Sequence, residues 1–116
     1  MRLYAFSNGS TEAVEGLLKH ASIRQFFSGV VSCDDIRSFK PNPATYAYFL
    51  RSSGASGDRA WLISSNPFDV IGARSAGMHA AWVQRSGTAV FDPWEIEPTA
   101  TIGGLAGLDE KLLANP

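Results

Sequence analysis

Two apolar runs in this 116-residue chain end in the same way: "YAFSNG" and "WLISSNP" both close on serine and asparagine, and Asp69 follows the second asparagine by three residues. Small hydroxyl and amide groups at the tips of buried strands can donate hydrogen bonds to an anion, helped by the unpaired N–H groups of the helices that start there. Lys40 lies in the loop after another apolar run, just ahead of the stiff segment "PNP", where an ammonium group could neutralise carboxylates. Tyr46 follows in the first turn of the next helix. Ser7, Asn8, Lys40, Tyr46, Ser64, Asn66 and Asp69 are therefore the candidate site residues. Each also has a plainer reading. Serine and asparagine cap helices, Asp69 suits the positive end of a helix, a lysine is usually a solvated charge, and Tyr46 beside Tyr48 and Phe49 can fill a core. Recurrence of the Ser-Asn pair at two junctions favours a site, while for Asp69 and Tyr46 both readings stay open.

These residues need strands and helices to bring them to one edge. Leu3 to Ser7 reads as a strand. Ser10 caps a helix whose apolar positions Val14, Leu17, Leu18 and Ala21 fall at helical spacing. A turn around Ile23, Phe26 and Phe27 leads to a second strand in "GVVS", then to the polar stretch "CDDIRSFK". Asn42 caps the next helix, with Pro43 at its first position and Gly54 at its end. "AWLIS" is a continuous apolar strand of the kind covered on both faces, followed by a helix capped by Asn66 and ended by Gly77. "AAWVQ" is a fourth strand, "RSGTAVFDPWEIEP" a loop, "ATI" a short strand and "LDEKLL" a terminal helix. Alternating strands and helices imply an α/β fold with a parallel sheet and helices on both faces, and ligands then bind at the carboxyl ends of the strands.

Composition narrows the function. One domain accounts for the length, and residues 1–116 are expected to form it. A net charge of -1 without a basic cluster gives no support to nucleic acid as a partner. No apolar run is long enough for a membrane span and no signal peptide is recognisable, so a cytoplasmic location is expected. The single Cys33 allows no internal disulfide. His20 and His79 are expected at helix ends away from the polar edge, which leaves a Ser-His-Asp arrangement without its base. Asp34 and Asp35 are adjacent loop carboxylates, more often solvated or capping than metal-binding. Neither a dinucleotide-binding nor a P-loop motif is present.

Taken in order, "FSNGS", "SFKPNPATY" and "SSNPFDVIGARSAG" resemble the second, third and fourth motifs of the haloacid dehalogenase superfamily, specifically its type II L-2-haloacid dehalogenases. The resemblance runs from residue 3 to about residue 87. It implies a Rossmann-like core and hydrolytic removal of halide from L-2-haloacids through an aspartyl ester. Carried onto this chain, it assigns Ser7 and Asn8 to the substrate carboxylate, Lys40 to charge balance around the nucleophile, and Tyr46 to the same polar cluster. Ser64 and Asn66 would orient the nucleophile and the water, and Asp69 would position or activate that water. Magnesium-dependent phosphatases of the superfamily carry an acidic pair in the fourth motif, and this chain has Ser65-Asn66 where the first of those acids is expected, so the resemblance implies the metal-free dehalogenase branch and no other cofactor.

The family's first motif, a central strand ending in the nucleophilic aspartate, and its helical cap with a halide-site arginine have no counterpart in these residues. Asp34, Asp35 and Asp58 do not end apolar strands and cannot replace that aspartate. The core is thus expected to be partial, with its central nucleophile strand missing and with unpaired edges on the strands at Leu3–Ser7 and Ala60–Ser64. Three outcomes are expected alternatives: an amino-terminal half on a separate chain, re-pairing in a homodimer, or a truncated fragment. The isolated chain is expected to show no turnover; the ligand is a 2-haloacid or another small carboxylate. A non-catalytic remnant that binds a carboxylate or a partner is the second reading, and a phosphatase the third.

Overall fold

The computed structural model describes residues 1–84 and 97–103. Most of the loop expected after the fourth strand and the expected terminal helix lie outside the described residues. The chain divides into two compact units, Met1–Ser53 and Gly54–Pro116.

In the first unit, strand β1 (Tyr4–Ser7) leads into helix α1 (Thr11–His20), and strand β2 (Gly29–Ser32) into a 3-10 turn at Cys33–Ile36 and helix α2 (Pro43–Ser53). The two strands pair in parallel, with Tyr4 beside Gly29 and Ser7 beside Ser32, so both end at one tip. Helix α1 starts where expected because the Ser10 hydroxyl accepts the Ala13 N–H at 3.1 Å. Its buried stripe is narrower than its apolar spacing suggests. Val14 is buried and Leu18 half-buried, while Leu17 is 69% exposed. Asn42 caps α2 by accepting the Ala44 N–H at 2.9 Å. The helix ends at Gly54, whose φ of 72° is readily adopted only by glycine.

An aromatic cluster joins β1 to α2. Phe6 meets Tyr46 edge-on at 5.6 Å and Phe49 at 5.0 Å, and Tyr4 meets Phe49 edge-on at 5.8 Å. Such contacts add about 0.5–1.5 kcal/mol each beyond the burial of area, which helps a two-stranded sheet hold its helix.

In the second unit, strand β3 (Trp61–Ser64) is followed by helix α3 (Pro67–Ser75), then by β4 (His79–Val83) and β5 (Ala100–Ile102). These strands form a parallel sheet in the order β3-β4-β5. Ala81, Val83, Ala100 and Ile102 form its buried cluster, with Trp61 and Ile63 packed against them. Val70 and Ala73 of α3 are fully buried, as are Ala80 and Ala81 of β4. His79, expected at the end of a helix, instead opens β4 opposite Trp61, and the two rings stack at 5.0 Å. Its Nε2 lies 3.0 Å from the Asp58 carbonyl oxygen, a contact that sequence spacing does not reveal.

Two surface variants test the local origin of these helices. Ser10→Ala should destabilise the chain by about 1 kcal/mol through loss of the cap. Gly54→Ala should cost about the same through its positive φ, since the added Cβ would meet nothing within 4 Å. Urea unfolding checks both, with the midpoint lowered in each.

Candidate functional site

The first three strands all end in serine, and the three serines are arranged alike. Ser7 Oγ accepts the Gly9 N–H at 3.0 Å, Ser32 Oγ the Asp34 N–H at 3.1 Å, and Ser64 Oγ the Asn66 N–H at 3.1 Å. A hydroxyl that already accepts from the backbone still has its own hydrogen to give. At Ser32 that hydrogen goes to the Gly9 carbonyl oxygen, 2.5 Å away. Among the described residues, Ser7 and Ser64 meet no such protein acceptor, which leaves their hydroxyl hydrogens for a ligand or solvent.

The two asparagines complete the pattern. Asn8 Oδ1 accepts the Lys40 N–H at 2.8 Å, and Asn66 Oδ1 accepts the Phe68 N–H at 3.0 Å. A backbone N–H can only donate, which fixes each side-chain oxygen inward and leaves Nδ2 with its hydrogens to donate outward. Both asparagines are exposed. Each tip therefore offers a hydroxyl hydrogen and an amide NH2 group, with its side-chain oxygens already engaged. That arrangement suits an anion.

In the first unit, Lys40 is brought to the Ser7–Asn8 tip. Its backbone is tied to Asn8, its Nζ donates to the Phe6 carbonyl oxygen at 3.1 Å, and the ammonium stands 4.8 Å from the centre of the Phe6 ring. Tyr46 is fully buried and meets Phe6 edge-on. The core role open to Tyr46 in the sequence is thus one that it fills. Asp35 accepts a hydrogen bond from the Tyr48 hydroxyl at 2.9 Å, and this bond raises the Tyr48 pKa above its ordinary value.

In the second unit, Ser64, Asn66 and Asp69 follow one another across the β3–α3 junction. Asn66 caps α3, Pro67 takes its first position, and Asp69 lies in the first turn, 5% exposed. The positive end of the helix favours a carboxylate there. Trp82 of β4 donates from Nε1 to the Ser65 carbonyl oxygen at 3.2 Å and so holds the junction to the sheet. The seven expected residues thus form two clusters, one in each unit. Ser32 was absent from the expected set. The signal was present in "AFS", "VVS" and "LIS", three apolar runs that each end on serine.

A family model described as haloacid dehalogenase-like hydrolase matches residues 1–83. That match covers well over half of the chain. The chain belongs to the haloacid dehalogenase-like hydrolase family. Among curated relatives, haloacetate dehalogenase H-2 of Moraxella sp. (strain B) is 35% identical over 102 residues, covering 88% of this chain and 45% of that protein. The (S)-2-haloacid dehalogenase H-109 of Pseudomonas putida is 33% identical over 107 residues, covering 92% and 47%. The chain thus spans about half the length of these relatives. Among solved structures, an L-2-haloacid dehalogenase from Xanthobacter autotrophicus with chloropropionic acid covalently bound superposes with a TM-score of 0.91 at 25% identity, over all of this chain and 56% of that one. A HAD phosphatase from Thermococcus onnurineus superposes with a TM-score of 0.83 at 26% identity, covering 98% and 51%. The architecture is the family's Rossmann-like α/β core with parallel strands.

The orientation of Asn66 makes a prediction of its own. Asn66→Asp keeps an oxygen for the Phe68 N–H and is an equally good cap, so stability should change by less than about 0.5 kcal/mol. It replaces the outward NH2 with a second acceptor, so acetate taken up at this tip, in addition to that at Ser7–Asn8, should be lost. Thermal unfolding and a calorimetric acetate titration read the two effects separately.

Proposed function

We propose that this chain supplies the carboxylate-binding and water-positioning part of a hydrolase that removes halide from L-2-haloacids. The observation that carries the reading is the pair of donors left at each tip: at Ser7–Asn8 and at Ser64–Asn66 the side-chain oxygens accept backbone N–H groups and the O–H and NH2 hydrogens remain to donate, with the Asp69 carboxylate beside the second tip. A dehalogenase must hold an anionic substrate beside an anionic nucleophile, so neutral donors and a lysine suit the tip that takes the substrate carboxylate. Ser7 and Asn8 then bind the substrate carboxylate, and Lys40 offsets the negative charge. Tyr46 supports that cluster through Phe6. Ser64 and Asn66 orient the reacting groups. Asp69 takes a proton from the attacking water as it opens the ester formed when a nucleophilic aspartate displaces halide. The relatives named for haloacetate and (S)-2-haloacids, and the Xanthobacter enzyme with its covalently bound chloropropionic acid, support this substrate class.

The nucleophile is not among the described strands, which end in Ser7, Ser32, Ser64, Val83 and Ile102. We propose that it belongs to the half of the relatives' length that this chain does not span, and that residues 1–116 form one partial core. The phosphatase likeness shows that this architecture serves phosphoryl chemistry too. The inward-turned oxygen of Asn66, at the position where magnesium-dependent relatives place an acid, favours the dehalogenase reading. A binding role without catalysis is the second reading, because the donors at both tips are complete without a nucleophile.

Three measurements test this. Acetate and L-lactate should bind the purified chain, with binding weakened by roughly tenfold in Asn8→Ala, in line with loss of a hydrogen bond to a charged group. The chain alone should release no chloride from L-2-chloropropionate, since loss of a nucleophile costs several orders of magnitude. Chloride release by the chain, abolished in Asp69→Asn, would contradict the proposal. Among the described residues, β1 and β3 each pair on one side only, so a partner is proposed to complete them, either the remaining half or a second copy. Light scattering should then report a dimer or an added half bound at equimolar ratio. A rigid monomer that binds no such half would count against a partner.

A further inference from the structure

Ser32 ends β2 directly beside Ser7 in the parallel register, is fully buried, and among the described residues is the one strand-ending serine of the first three whose hydroxyl hydrogen goes to a protein acceptor. It donates to the Gly9 carbonyl oxygen at 2.5 Å, across 23 residues of sequence, while accepting the Asp34 N–H at 3.1 Å. The peptide plane that carries the Gly9 carbonyl also carries the Ser10 N–H, and in a trans peptide the two point in opposite directions. Holding the carbonyl toward β2 therefore turns the Ser10 N–H away from it. The same bond limits the freedom of Gly9, whose own N–H is given to Ser7 Oγ. The turn is tight, since a Cβ at Gly9 would stand 3.3 Å from Ser7 Oγ.

We infer that Ser32 is a positioning residue for anion binding: through the Gly9 carbonyl it sets the Ser7–Ser10 turn so that Ser7, Asn8 and the Ser10 N–H present their hydrogens together. This rests on the reading that Ser7 and Asn8 bind a carboxylate. Ser32 touches no ligand; it acts through one buried bond. A buried serine that merely stabilised the fold would leave affinity unchanged once the protein was folded. Here affinity depends on the bond, because a carboxylate gains from donors only when they are already aligned.

The test compares four forms of the chain by calorimetric titration with acetate, together with amide resonances and thermal unfolding. In Ser32→Ala the Gly9 carbonyl loses its partner, and acetate affinity should fall roughly five- to tenfold. Ser32→Cys, close in size but a weak donor, guards against misfolding of the alanine variant and should give an intermediate loss. Ser53→Ala removes another buried serine hydroxyl, one directed at the Leu50 carbonyl oxygen in α2, and should leave affinity at the starting value. The Ser10 amide resonance should move on acetate addition in the unaltered chain and much less in Ser32→Ala. Unchanged affinity in folded Ser32→Ala or in Ser32→Cys would overturn the inference while leaving the carboxylate reading intact. Absence of acetate binding to the unaltered chain would overturn both.

Discussion

Backbone N–H groups that saturate side-chain oxygens are the constraint on which this chain's polar tips depend. Wherever a strand turns into a helix, the first N–H groups lack partners within the helix. The chain answers with Ser32, Ser64 and Asn66, whose oxygens accept such hydrogens, while Ser7 takes the Gly9 N–H of the turn ahead of α1 and Asn8 takes the Lys40 N–H. This is ordinary capping, and it has a chemical consequence. Once each oxygen is engaged, what remains at the surface is N–H and O–H. Capping and anion recognition are therefore one arrangement viewed from its two sides, and they need not compete as explanations for the same residues.

Around each tip the packing is arranged to hold that orientation. In the first unit, Phe6 is the pivot: its ring carries Tyr46 and Phe49 from α2 on one hand and the Lys40 ammonium on the other, and its carbonyl receives Lys40 Nζ. Lys40 is thereby fixed at the tip by both its backbone and its side chain. In the second unit, small residues do the corresponding work. Ala80 and Ala81 of β4 and Ala73 of α3 are fully buried. Trp82 reaches from β4 to the Ser65 carbonyl oxygen and keeps the strand-to-helix turn against the sheet.

Much of this was legible in the sequence because capping is local. Ser10, Asn42 with Pro43, and Asn66 with Pro67 mark helix starts within a few residues, and Gly54 and Gly77 mark helix ends by their positive φ. The features that depend on tertiary contact were harder to read. The buried stripe of α1 is set by how much of the helix packs, so Leu17 is exposed despite its spacing. The place of His79 at the start of β4 is set by Trp61 and the Asp58 carbonyl, partners distant in sequence. The role of Ser32 likewise depends on a distant partner: Gly9 lies 23 residues away, so the serine that ends "VVS" carries no local sign of the bond it makes. The family's motifs identified the chemistry to look for, whereas the direction of each amide and hydroxyl emerged only from the hydrogen bonds.

The central claim is that the tips present donors with their acceptors already engaged. It is tested most directly by following the side-chain NH2 resonances of Asn8 and Asn66 in the chain while sodium acetate is added. Saturable downfield movement of the Asn8 pair, with the Lys40 backbone amide still protected by its bond to Asn8 Oδ1, is the predicted result. An Asn8 pair that stays in place through the titration while the Lys40 amide loses its protection would contradict it.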